Sequence, residues 1–387
     1  MMFRILGLLT LLACLFPVAS HASGNDSLIY TELSSYQTNP FLPQTVIFDR
    51  QNRPYYYLAC KAGGFITFDH NNPAAPLPID TIPVTDLLDL EVMNAYQRGD
   101  YVYLALGNFF GNNTQESGIA VVDVSTPTVP VLMDAWKTNQ PATDKGSAYV
   151  YVEGDYAYLA AMTNGLMIFD ISDPANIDSV AQYIPDVNWP VANPSSVAMP
   201  NARGLAIRDT LLYLAYDAGG VRVLSIADLT APYQLHQYIN QAVISQQQAY
   251  NNILLDGDFA YCAVDYCGVE VLDISDRDTT SQAAWWNPWN CDLGGGQWFS
   301  SPGHTNQLHL DEDRALLFLS AGGSEMVVVD VSDPMQPDSC RGFGYHGNDL
   351  GVWGVDVHEG RIGLTYINAL VPFFATWSGV KVLDYTL

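Results

Sequence analysis

One phrase recurs seven times along this chain: Gly64–Asp69 (GFITFD), Gly118–Asp123 (GIAVVD), Gly165–Asp170 (GLMIFD), Gly220–Ser225 (GVRVLS), Gly268–Asp273 (GVEVLD), Glu325–Asp330 (EMVVVD) and Gly379–Asp384 (GVKVLD). The last residues of successive copies are 54, 47, 55, 48, 57 and 54 positions apart, a period that suits repeats built from small sheets. Before each phrase runs a second apolar segment, as in Tyr101–Ala105 (YVYLA), Tyr156–Ala160 (YAYLA) and Phe259–Ala263 (FAYCA). Before that lies a shorter strand ending in a Gly/Asp-rich turn, such as Arg98-Gly99-Asp100, Glu153-Gly154-Asp155 or Asp256-Gly257-Asp258, residues that close tight hairpins. After each phrase come a further turn, with Pro at Pro174 and Pro334, and a fourth short strand. Four antiparallel strands, repeated seven times, predict an all-β seven-bladed β-propeller.

The ends of the chain agree. The seventh unit stops at Leu387 just after its third strand, while Leu28–Tyr36 (LIYTELSSY) reads as an orphan fourth strand. The N-terminal strand is therefore expected to complete the last blade, a closure that removes the exposed sheet edges of an open array. Residues 23–387 form one domain on this reading, preceded by a secretory signal peptide at 1–22: Arg4, the apolar run Ile5–Phe16, then Ser20-His21-Ala22 with small residues at the −3 and −1 positions. The alternative is a lipobox ending at Cys14, but the apolar Leu15-Phe16-Pro17-Val18 that would follow argues for export as a soluble protein.

The extended phrase, Gly-apolar-x-apolar-apolar-Asp-[Val/Ile]-Ser-Asp-Pro, resembles the LVIVD repeat of secreted bacterial and archaeal proteins. It is clearest at Gly165–Pro174 and Met326–Pro334 and blurred where His70 replaces Val/Ile and Ser225 replaces Asp. The resemblance implies a propeller on exported or surface-associated proteins with no general enzymatic activity, and it supplies no catalytic residues.

Charge narrows the partners. With 15 Lys and Arg against 41 Asp and Glu, the chain carries a formal charge of −26. Binding nucleic acid rests on clustered cations releasing phosphate counterions, so nucleic acid is excluded as a partner, and an anionic membrane surface is disfavoured. No segment after the leader approaches the roughly 18 apolar residues of a membrane span. Five cysteines follow the leader, so at least one is free or pairs between chains. Cys262, Cys267 and Cys291 fall in one stretch that can supply a disulfide, Cys60 reads as a small buried hydrophobe, and Cys340 is unassigned.

No nucleophile elbow, zinc motif, P-loop or EF-hand ladder occurs, so no catalytic residue, metal or cofactor is expected. The repeat Asp column reads as turn chemistry, and Arg98-Gly99-Asp100 as a hairpin rather than an adhesion motif. In a propeller, a site gathers at one mouth of the central channel. The loops entering each first strand place Lys145, Arg203, Asn251, His304, Asn306 and Trp353 there, and those between second and third strands place Lys61, Asn164, Asp217 and Asp265. Arg203, Asn251 and His304 converge from adjacent blades. Long aromatic loops form a second candidate: 285–307, with Trp285, Trp289 and Trp298; 184–201, with Trp189; and 368–378, with Phe373, Phe374 and Trp377.

These features predict an exported, non-enzymatic scaffold, expected to be a monomer, that binds an extracellular protein or a glycan through the face carrying those loops. One alternative is a hydrolase or lyase acting on extracellular polysaccharide, with Arg203 stabilising negative charge and His304 as acid or base. The other is a purely architectural surface module.

Overall fold

The structure, a computed structural model, describes residues 28–109, 115–140, 144–190, 200–244, 249–293, 299, 301–369 and 371–387. Residues 1–22, the expected leader, lie outside the described residues. Seven four-stranded antiparallel sheets make up the body. In chain order, their innermost strands are Thr45–Phe48, Val92–Arg98, Tyr149–Glu153, Gly204–Arg208, Tyr250–Asp256, Leu308–Asp311 and Val352–His358, which number blades 1 to 7. Blade 7 takes its outer strand from the other end of the chain: Ile29–Gln37 pairs antiparallel with Gly379–Thr386, from Ile29 opposite Thr386 to Gln37 opposite Gly379. The predicted propeller and its closure are both present.

The recurring phrase forms the third strand of each blade, and its residues have distinct jobs. Gly64, Gly165, Gly220 and Gly268 all have φ between 68° and 81°, and a Cβ on any of them would lie 2.2 or 2.3 Å from a carbonyl oxygen at the end of the outer strand; only glycine satisfies both constraints without strain. At the far end of the strand, the side chains of Asp69, Asp123, Asp170, Asp273 and Asp330 each accept a hydrogen bond from the backbone N–H two residues on, at 2.7–2.9 Å. The Asp column therefore caps turns. The Arg98-Gly99-Asp100 hairpin likewise serves the fold, with Arg98 donating to the carbonyl of Gly154 in the next blade's hairpin.

The apolar residues of the phrase and of the strand before it pack between blades. Seven buried clusters each join two neighbouring blades, from the blade 1–2 seam around Tyr57, Phe65 and Leu104 to the blade 7–1 seam around Phe48, Tyr56 and Val382. Cys60 is fully buried in the last of these and Cys262 in the blade 4–5 seam, while Cys267 and Cys291 form a disulfide. An eighth apolar cluster belongs to no seam: Trp353, Ile367, Phe373 and Ala375, flanked by Leu42, Phe109 and Ala369.

Candidate functional site at the channel mouth

The eighth cluster stands at one end of the central channel because of how blades are joined there. The turn between second and third strands bonds to the start of the next blade through isolated backbone bridges: Lys61 to Val92, Met162 to Ala202, Asp217 to Tyr250 and Gly322 to Val352. Lys61, Met162 and Asp217 adopt φ of 44–49° to do so. In blade 5 the Asp265 carbonyl accepts from Thr305 N–H at 2.7 Å. These joints hold the side chains of Lys61, Asp217 and Asp265 close to the axis.

They surround a cavity of about 480 Å³, within the range of roughly 300–1,000 Å³ that holds small-molecule ligands. Part of its lining is apolar: Leu42, Trp353, Ile367, Val371 and Phe373. Another part is polar: Lys61, Arg203, Asp217, Asn251, Asp265 and His304, with Asn306 beside them. Seven positions singled out from the sequence as binding candidates, Arg203, Asp217, Asn251, Asp265, His304, Asn306 and Trp353, thus share one cavity with Lys61. Asn164 is elsewhere, donating to Ser117 Oγ, and Lys145 is exposed outside the lining.

The polar lining is largely tied down. His304 is 2% exposed, and its Nδ1 lies 2.6 Å from Asp265 Oδ1. The Lys61 ammonium is 2.8 Å from Glu91 and donates to Asn108 Oδ1 at 2.7 Å, and burial pulls its pKa down. Asp217 Oδ2 accepts from Asn201 Nδ2 at 2.8 Å. Crowding by protein raises the Asp217 pKa, and neighbouring Asp265 adds to that rise, while Arg203, Asn201 and Lys145 oppose it. Asn251, 5% exposed, donates through Nδ2 to Thr305 O and Asn306 Oδ1, but its own Oδ1 is buried with no hydrogen-bond partner among the described residues.

Two of the aromatic positions expected on a loop platform pack elsewhere. Trp285 is half-buried and donates from Nε1 to the carbonyl of Cys267 at 2.8 Å. Trp289 meets the buried Trp286 edge-on at 6.1 Å and lies over Gly303, where a Cβ would fall 1.9 Å from its ring. Large apolar rings lower the free energy more by covering a blade end than by facing water, and neither residue lines the cavity. Trp298 lies outside the described residues. Trp189 remains 45% exposed, Trp377 packs on Tyr366, and Phe373 turns inward to touch His304 and Trp353 with ring centroids 5.4 and 6.2 Å apart. The sequence marked the 368–378 loop but not that Phe373 and Ile367 would belong to the cavity's apolar lining. A continuous apolar run identifies buried residues without saying which burial lines a void.

Over residues 95–138, 146–184, 250–279 and 317–339 the chain matches the LVIVD repeat. No curated protein sequence matches it. Among solved structures it is similar to the WD40 repeats of RRP9, at 9% identity and a TM-score of 0.66 over 92% of this chain and 100% of that one. It is similar too to U3-55K, at 9% identity and 0.63 over 92% and 98%, and to the computationally designed Ika8 protein, at 12% identity and 0.54 over 91% and 99%. At these identities the likeness concerns the fold alone.

Proposed function

Taking as premise that this chain belongs to the LVIVD-repeat family and folds as a closed propeller, we propose that it is an exported binding module whose channel-mouth cavity receives a sugar residue of an extracellular glycan. The observation that carries this is the mixed lining of the cavity, aromatic and polar. A pyranose has an apolar ring face and a rim of hydroxyls; the lining supplies Trp353 and Phe373 for the first and Asn251, Asp217 and Asp265, groups that accept hydrogen bonds from hydroxyls, for the second. The leader-like residues 1–22 and the Cys267–Cys291 disulfide support an oxidising, extracytoplasmic location.

Thermal unfolding against a panel of oligosaccharides tests the reading, because a ligand that binds only the native state raises the midpoint. A saturable rise that disappears in Val371→Trp is expected, since Val371 is 56% exposed at the cavity rim and a larger ring there closes the mouth without entering the core. A rise that survives this block and is lost in Trp189→Ala would move binding to the outer loops and overturn the cavity assignment.

The Asp265–His304 pair favours a second reading, acid–base cleavage of the bound glycan with Arg203 beside the reacting group. Assaying the same panel for new chain ends, in the wild type and in His304→Gln, separates the two readings. Turnover that His304→Gln abolishes establishes an enzyme, whereas binding without turnover establishes a receptor.

A further inference from the structure

Among the described residues, the polar lining contains one cation with no ion-pair partner. Lys61 has Glu91, whereas the Arg203 guanidinium makes no hydrogen bond or ion pair with any other residue, among the described residues, although it is half-buried and lines the cavity. It lies over the Phe109 ring, 4.9 Å from the centroid. Stacking holds one face of the guanidinium and leaves its N–H edge available, the arrangement in which arginine binds a carboxylate through two parallel hydrogen bonds. Asp217 is near enough to feel the charge but spends Oδ2 on Asn201 and forms no ion pair with Arg203. Cations are scarce, 15 in 387 residues, so an unpaired one held against an aromatic ring at a cavity is not surface background. A second, independent group points inward with it: the buried, unpartnered acceptor Asn251 Oδ1 requires an O–H or N–H donor.

A ligand that satisfies both must bring an anion to Arg203 and hydroxyl donors to Asn251, Asp217 and Asp265, and must lay an apolar face on Trp353 and Phe373. On the basis of the glycan reading above, we propose that the sugar recognised is acidic, a hexuronate residue whose carboxylate pairs with Arg203. The chain's charge of −26 repels a long polyanion beyond the screening length of about 8 Å at physiological salt. The site therefore takes a single terminal acidic residue in preference to the interior of a dense polyuronate.

The test is calorimetric titration of the full mature chain with glucuronic and galacturonic acid and their short oligomers, beside the neutral glucose and galactose series, in wild type, Arg203→Met and Arg203→Lys. Loss of a charged, bidentate hydrogen bond costs roughly 10- to 100-fold in affinity. The uronates are expected to bind at least about tenfold tighter than the neutral sugars. Arg203→Met should erase that preference, and Arg203→Lys, which keeps charge without the planar fork, should restore only part of it. Thermal midpoints of both variants confirm folding. Neutral sugars binding as tightly as uronates, with no change in Arg203→Met, would overturn the acidic-sugar assignment while leaving the glycan reading standing. Absence of binding by every sugar would overturn both.

Discussion

His304 and Asp265 join blades 5 and 6 beneath the channel mouth: Nδ1 and Oδ1 are 2.6 Å apart, and the same Asp265 accepts the Thr305 N–H through its backbone carbonyl. A carboxylate can only accept, so His304 Nδ1 carries the proton, and its ring is held edge-on to Tyr266 and tilted against Phe373. Asp265→Ala leaves the backbone joint and removes the side-chain bond from a site that is 2% exposed on the histidine side. The expected loss is about 2–4 kcal/mol of unfolding free energy, measured by denaturant titration. Asp265→Asn, which can still accept from Nδ1, should recover most of it. Equal losses in the two variants would show that the bond contributes little.

Asp217 predicts a trade of stability against binding. Burial and the nearby Asp265 raise its pKa, so the folded state holds the charged form reluctantly. A carboxyl whose folded pKa exceeds its unfolded value stabilises the protein as pH falls through the folded pKa, and that contribution is lost as pH rises through it. Asp217→Asn keeps the acceptor for Asn201 and suits φ of 49°, which asparagine tolerates well. The variant should unfold at a higher temperature than wild type at pH 7, with the difference closing in acid, and it should bind ligand more weakly. A lower midpoint at pH 7 would contradict this.

His70 stands where other repeats carry Val124, Ile171, Ile226, Ile274 or Val331. It is 2% exposed, packs against Tyr56 and Phe48, and neither ring nitrogen has a hydrogen-bond partner among the described residues. Burial, helped by Arg361, lowers its pKa to about 4. Between about pH 6.5 and 4 the unfolded chain takes up a proton that the folded chain refuses, so stability falls across that window, by about 3 kcal/mol at its acid end. His70→Ile retains the backbone bond to Pro54 O. It should add about 1–2 kcal/mol at pH 7 by removing two unsatisfied nitrogens, and more at pH 5. A gain that does not grow on acidification would refute the titration argument.

Removing residues up to Gln37 strips the outer strand from blade 7 and exposes the edge of Gly379–Thr386 together with the seam that includes Leu28, Leu383 and Tyr385. The truncated chain is expected to aggregate or to pair through that edge, as judged by size-exclusion chromatography. A soluble monomer with an unchanged thermal midpoint would show that the closing strand is dispensable.

Blade count, strand order and closure were all legible in the chain, because each repeat makes the same local demands: a glycine where φ is positive and a carbonyl crowds the Cα, continuous apolar runs for strands buried on both faces, and an aspartate to cap the following turn. The sequence also named most of the mouth, since a propeller's connectivity alone decides which loops reach the axis; Arg203, Asn251 and His304 follow from counting strands. The tertiary structure decided the partnerships. That Lys61 is matched by Glu91 while Arg203 stacks on an aromatic ring with no ion pair among the described residues, and that Trp285 and Trp289 pack away from the cavity while Phe373 from a different loop lines it, depend on distances between residues tens of positions apart in the chain. Local periodicity specifies which residues are buried, but pairing and void shape are set only where seven seams meet, by the packing of side chains that share no sequence neighbourhood.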